Sequence, residues 1–161
     1  MSKIILGIDP GIADTGFGII KATRGKITCL TYGSIKTPKK TELSDRLETL
    51  YQDLDSLLKR YRPDLASVEQ LFFNTNVTTA LAVGQARGVV LLALKQNKIP
   101  IVNFTPSQVK SSVCSYGKAP KLQVQKMVKS ILKLEKLPQP DDAADALALA
   151  ICASGARLEG C

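Results

Sequence analysis

Residues 4–8 carry no polar side chain, residue 9 is Asp, and Pro10-Gly11 follows at once. That pattern predicts a buried strand over 4–9 that closes in a turn. Residues 16–21 and 26–36 are again strand-like, with a turn at Arg24-Gly25 between them, so the first third predicts an antiparallel meander. Pro38, Lys39 and Lys40 mark an exposed connection. From Leu47 the apolar period changes to 3.6: Leu47, Leu50, Tyr51, Leu54, Leu57, Leu58 and Tyr61 share one helical face, which Arg62-Pro63 ends. A short strand over 65–70, a long helix over 75–95, a strand over 100–104 and a helix over 105–113 come next. Residues 114–120 read as irregular and exposed. A helix over 122–134 carries Lys126, Lys129 and Lys133 on its polar face, and a closing helix over 142–153 follows Pro138 and Pro140. Strands followed by strand–helix alternation predict an α/β fold, a mixed central sheet of antiparallel meander plus parallel strands flanked by helices. No repeat or boundary interrupts the pattern, and residues 1–161 are expected to form one domain.

Composition narrows the chemistry. The longest apolar run, 89–94, lies between Arg87 and Lys95 and is too short to span a bilayer. The first residues lead directly into a strand with no signal segment, so a soluble, cytoplasmic protein without a membrane partner is expected. The chain has no His, which excludes Ser-His-Asp and Cys-His nucleophilic catalysis within it. Its four cysteines form no CxxC pair and are expected to be free thiols. A net charge of +8 and a pI near 9.4 point to an anionic partner.

Acids are therefore the informative minority, 14 against 22 basic residues. Asp9 ends a buried strand and shares a strand face with Ile5 and Gly7, though Asp before Pro-Gly also suits a tight turn. Glu69 ends the run Leu65-Ala66-Ser67-Val68, where it either joins a site or reaches solvent. Asp142 and Asp145, three apart, project from one helix face. Asp142 could instead cap that helix, a role that Asp141 could fill by itself. The surrounding Ala143, Ala144, Ala146 and Ala148 would let the helix approach a sheet closely. Four carboxylates gathered in a basic protein repel unless a cation neutralises them, and oxygen-only ligands favour Mg²⁺ or Mn²⁺ over zinc. Two such ions would suit phosphodiester hydrolysis.

Five blocks then occur in order: Gly7-Ile8-Asp9-Pro10-Gly11 with Thr15-Gly16-Phe17-Gly18, Val68-Glu69-Gln70, Gly84-Gln85-Ala86-Arg87-Gly88, and Asp142-Ala143-Ala144-Asp145-Ala146-Leu147-Ala148. Together they resemble the RuvC Holliday-junction resolvases of bacteria over nearly the whole chain. The resemblance implies an RNase H-like fold, a homodimer, branch-migration motor proteins as partners, and Mg²⁺-dependent cleavage of four-way DNA junctions in recombination and repair. It implies that Asp9, Glu69, Asp142 and Asp145 are the catalytic, metal-holding acids, with two Mg²⁺ per subunit and Mn²⁺ as a substitute. It further implies DNA contacts at Lys110 and Lys121, with Arg87 and Lys118 beside them, and an aromatic stack from Phe72 or Phe73. Two departures stand out. Ser115-Tyr116-Gly117 replaces a Gly-x-Gly and predicts a stiffer loop, and Asp14 places an acid soon after Asp9. Gly84 and Gly88, four apart on the long helix, permit close approach of another helix, and the dimer contact is expected there.

Other classes fit less well. An actin-like or sugar-kinase-like ATPase also opens with a strand ending in Asp, but needs two lobes. A binding-only junction protein would be expected to have a broken acid set. A ribonuclease H shares the metal logic without the 85–88 and 142–145 contexts.

Overall fold

The protein is described from a computed structural model covering residues 1–70 and 77–158, with side chains to residue 155. Strands β1 (Lys3–Asp9), β2 (Asp14–Thr23) and β3 (Lys26–Lys36) form the expected antiparallel meander. Strands β4 (Leu65–Glu69) and β5 (Ile101–Phe104) continue the sheet parallel to β1, in the order β3-β2-β1-β4-β5. Helices α1 (Leu43–Tyr61) and α2 (Val77–Gln96) cover one face; α3 (Pro106–Cys114), α4 (Lys121–Leu132) and α5 (Asp141–Leu158) cover the other.

The alternation along β1 sorts the two cores. Leu6 and Ile8 face α1 and α2, joining Leu50, Leu54, Leu58, Val90 and Leu94. Ile5 faces the other way, with Leu65, Val128, Leu147 and Leu149. Gly7 and Asp9 follow Ile5 on that second side, because side chains alternate along a strand.

Four expectations change in detail. β2 extends two residues beyond the expected strand at each end, because Asp14 and Thr15 pair with Lys36 and Ile35 and Ala22 and Thr23 pair with Ile27 and Lys26. α1 starts at Leu43. The segment 114–120 is not exposed throughout: Cys114 completes the buried stripe of α3 that includes Val109 and Val113, and Ala119 is buried too. Both ends of that loop are thus pinned in the core. Finally, α2 is by length and composition apolar enough to cross a membrane, which the short run 89–94 did not suggest. Ala86, Val90, Ala93 and Leu94 bury one stripe of α2 in the core, while Val77 and Leu81 are 84% and 63% exposed on another.

Candidate metal centre and nucleic-acid interface

The acids meet because three elements end at the same place. The β1–β4 ladder stops at Ile8↔Val68, so Asp9 and Glu69 are the next residues on two parallel neighbours. Asp9 is not needed for the turn that follows. The Thr15 hydroxyl does that work, donating to the Gly11 carbonyl (2.7 Å) and accepting from the Gly11 amide (3.3 Å).

α5 lies directly on the glycines of the sheet. A Cβ at Gly7 would collide with the Ala146 carbonyl and the Ala150 amide; one at Gly16 would collide with the backbone carbonyl of Asp142. Gly16 pairs with Asp9 across the β1–β2 ladder, so the first turn of α5 is seated beside Asp9. Carboxylate oxygens of Asp9, Asp142 and Asp145 consequently lie within 4.8 Å of one another. Glu69 joins through Asp9, with which it makes a side-chain hydrogen bond. The structure therefore brings all four predicted acids together, three as a tight group and Glu69 alongside.

Capping does not account for Asp142. The Pro140 carbonyl accepts the first α5 amides, from Ala143 (2.9 Å) and Ala144 (3.4 Å). Asp141 turns sideways to α4, accepting from Gln125 Nε2 (3.1 Å) and pairing with Lys121 Nζ (3.5 Å). Lys121 also lies 3.8 Å from Asp145.

Burial and the neighbouring charges make Asp9, Glu69 and Asp145 harder to ionise. Asp9 is pushed up to about 8, first by burial and then by the charges of Glu69, Asp145 and Asp142. Burial also raises Glu69 and Asp145, and Lys110 and Lys121 partly offset both. Burial lowers Lys121, but the facing acids, Asp145 and Asp141 foremost, outweigh it and raise its pKa overall. A cluster that holds protons where carboxyls normally ionise is short of positive charge. Its donors are all oxygen, which fits a hard divalent cation.

The basic residues divide. Lys110 and Lys121 line a cleft of about 220 Å³ with Glu69 and Asp145. Lys118 is exposed on the loop before α4 and does not line the cleft. Arg87 points at protein: its Nε donates to the Glu69 carbonyl (3.3 Å) and an Nη to Asn103 Oδ1 (2.8 Å). Phe72 and Phe73 lie outside the described residues. Ser115 ends α3 in the left-handed conformation at φ 68°, where a glycine is at ease. Asp14 lies in the β2–β3 ladder and accepts from the Ser34 hydroxyl (3.2 Å), apart from the acid cluster.

Reading the sequence missed Asn103, the lateral role of Asp141, and Gly7 and Gly16 as the seat of α5. The glycines were visible as motif residues, but only the strand register shows what rests on them. Asn103 is 16 residues from Arg87 and carries no local signal.

Comparison with known proteins agrees with this geometry. The family model for crossover junction endodeoxyribonuclease RuvC matches residues 5–153. The RuvC of Heliobacterium modesticaldum is 52% identical over 149 residues, covering 92% of this chain and 92% of that protein. The RuvC of Ruminiclostridium cellulolyticum is 51% identical over 157 residues, covering 98% and 95%. Among solved structures, T. thermophilus RuvC in complex with a Holliday junction substrate superposes with a TM-score of 0.91 at 34% identity, covering 98% of this chain and 96% of that one.

Proposed function

This chain belongs to the RuvC family of crossover junction endodeoxyribonucleases, and from that premise we propose that it resolves Holliday junctions by symmetric nicks in two strands of like polarity. The observation that carries the reading is the group Asp9, Asp142 and Asp145, with Glu69 beside it, at the head of a cleft lined by lysines. A half-buried acid cluster in a protein of net charge +8 is suited to hold cations against a polyanion.

Asp9, Glu69, Asp142 and Asp145 are the residues that would hold divalent metal, Mg²⁺ or its substitute Mn²⁺, at two ions per subunit. Bound there, such ions supply a nucleophilic water at neutral pH and offset the charge that develops on the scissile phosphate. The chain's own part is to place and discharge the acids. Asp9, whose pKa burial and the neighbouring acids raise to about 8, must lose its proton to hold metal, and its burial limits the screening of the charge that then forms. Lys110 and Lys121 meet phosphate oxygens at the cleft, and Lys118 meets them on the adjoining loop. Phe72 or Phe73 stacks on a junction base. In-line hydrolysis leaves 3′-hydroxyl and 5′-phosphate ends.

Two coordinated nicks require two sites, hence a homodimer. The open stripe of α2 supports a contact there: Val77, Leu81, Gly84 and Gln85 line a shallow apolar groove, and a Cβ at Gly88 would meet nothing within 4 Å among the described residues. Leu81→Glu should shift the sedimenting species toward monomer; an unchanged dimer would place the contact elsewhere. The reading also includes one nuclease domain over 1–161, a cytoplasmic setting, action in recombination and DNA repair, and branch-migration motor proteins of the same pathway as partners.

The decisive experiment incubates the protein with Mg²⁺ and a mobile four-way junction, a linear duplex or an RNA–DNA hybrid. Paired nicking of the junction alone is expected. Preferential cutting of the hybrid, or equal cutting of all three, would overturn the assignment.

A further inference from the structure

Arg87 was expected beside the DNA-contacting lysines, and its half-buried guanidinium bonds to the Glu69 carbonyl and to the exposed Asn103 side chain. We propose that Arg87 is a positioning residue, which fixes Glu69 at metal-holding reach from helix α2 instead of contacting the junction. The inference rests on the reading above in one respect, that Glu69 helps to hold the metal.

Glu69 is the last residue of β4. Its ladder with β1 stops at Val68, one residue short of the acid, so on that side the Glu69 backbone has no strand partner. On the other side Glu69 pairs with Phe104 of β5, and the Gln70 amide donates to the Phe104 carbonyl (2.9 Å). The Glu69 carbonyl is taken by Arg87 Nε. The same guanidinium reaches Asn103, which β5 places opposite Val68 in the neighbouring rung. One planar fork thus ties α2, the last residue of β4 and β5 together, where the β1 ladder has run out. Arginine suits this because its donors are fixed relative to one another; a lysine offers one point charge on a flexible stem.

The position of the Glu69 backbone matters because its carboxylate must stay against Asp9 in a half-buried cluster. Partners that orient a metal ligand tune metal affinity almost as ligands do. Arg87 also lies between Ala86, which is buried in the core, and Gly88, on the open stripe of α2. The helix proposed to contact the second subunit is therefore the helix that holds the acid in place. A shift of α2 on dimerisation would reach Glu69 through one side chain.

The test compares wild type, Arg87→Gln, Arg87→Lys and Asn103→Ala in three measurements. The first is affinity for a four-way junction without divalent metal, with its salt dependence. The second is the Mg²⁺ concentration for half-maximal cleavage, and the third is the thermal shift that Mg²⁺ produces on protein without DNA. Arg87→Gln should leave junction affinity and salt slope close to wild type while raising the half-saturating Mg²⁺ by about 10–100-fold, the range for lost outer partners of metal ligands. The Mg²⁺-induced thermal shift should shrink in parallel, high Mg²⁺ should restore cutting, and Arg87→Lys should fall between. Should Arg87→Gln fail to fold, Asn103→Ala, which keeps Arg87, should show the smaller effect in the same direction. Weakened junction binding with a reduced salt slope and an unchanged Mg²⁺ requirement would overturn the proposal in favour of a phosphate contact. Wild-type behaviour in every variant would also overturn it. Wild-type protein that shows neither Mg²⁺-dependent cutting nor a Mg²⁺ thermal shift would bring down the metal reading itself, a result distinct from any difference among the variants.

Discussion

The two faces of the sheet are packed by opposite means. Against α1 and α2 the sheet offers Leu6, Ile8 and Ile19, and the helices answer with Leu50, Leu54, Leu58 and Leu94, so large side chains set the spacing. Against α5 it also holds Ile5 and Ile20 in a core with Leu147 and Leu149, but at Gly7 and Gly16 the helix rests bare backbone directly on the strands. The first arrangement buries large apolar side chains and serves stability. The second gives up side-chain burial to bring Asp142 and Asp145 down onto the strand ends. Leucine layers can relax around a change, whereas backbone seated on backbone has no flexible atom to move.

Substitutions on the two faces should therefore separate stability from chemistry. Asp9→Asn should abolish Mg²⁺-dependent cleavage, by at least about a thousandfold on the scale of losing a central catalytic group, with junction binding intact. Cutting at the wild-type rate would sink the metal reading. Leu54→Ala, buried in the leucine layer, should cost about 2–5 kcal/mol of stability, yet the folded fraction should need no more Mg²⁺ than wild type. Gly16→Ala should combine smaller effects of both kinds. Its methyl meets the Asp142 backbone, an overpacking cost of about 1–3 kcal/mol, and by lifting α5 from Asp9 it should raise the Mg²⁺ needed for cleavage. If Gly16→Ala lost stability with an unchanged Mg²⁺ requirement, the glycine seat would be ordinary packing.

How much of this could be read from the chain depended on whether a feature was local. The strand ending in Asp9, the run ending in Glu69 and the i, i+3 acids on an alanine-rich helix were all visible, because burial period and helical spacing are properties of a few adjacent residues. Their convergence was inferable only as a possibility, because Gly16 opposite Asp9 is a fact of register. The Arg87–Asn103 link joins a helix to a strand across 16 residues, and nothing near either residue announces it. Cys114 and Ala119 looked like loop residues because the loop between them is polar; the core that buries both comes from α4 and α5. The apolar length of α2 was underestimated for a related reason. Arg87 interrupts the hydrophobic run along the sequence, but on the helix it leaves Val77 and Leu81 on an open stripe.

The α5 face should also respond to pH in a way the leucine face does not. Asp9, Glu69 and Asp145 are all raised, so the folded protein retains protons that the unfolded chain has lost. Stability without metal must then fall as pH rises, from the ordinary carboxylate range near 3.8 up to the value of about 8 for Asp9. Metal reverses the sign, because a cation displaces those protons and binds best when they are gone. Melting curves between about pH 5 and 8 in chelator should show a falling Tm, and the gain on adding Mg²⁺ should grow with pH, reaching roughly 5–10 °C at saturation. Asp9→Asn should flatten the apo curve. An apo Tm that rose with pH would mean the acids are satisfied by other protein groups.

The smallest expected effect distinguishes two buried hydroxyls near the site. Thr15 is 1% exposed and bonded to Gly11 in both directions. Ser67 is fully buried on β4, paired in register with Gly7, and its Oγ has no hydrogen-bond partner among the described residues. Removing a bonded hydroxyl strands its partners, while removing an unbonded one relieves a desolvation cost. Thr15→Val should therefore cost about 1–3 kcal/mol, whereas Ser67→Ala should leave stability within about 0.5 kcal/mol or raise it slightly. Denaturant melts of the two variants at one pH decide between them. Equal losses would mean that the Ser67 hydroxyl is bonded in solution, and that the layer two residues behind Glu69 is polar rather than dry.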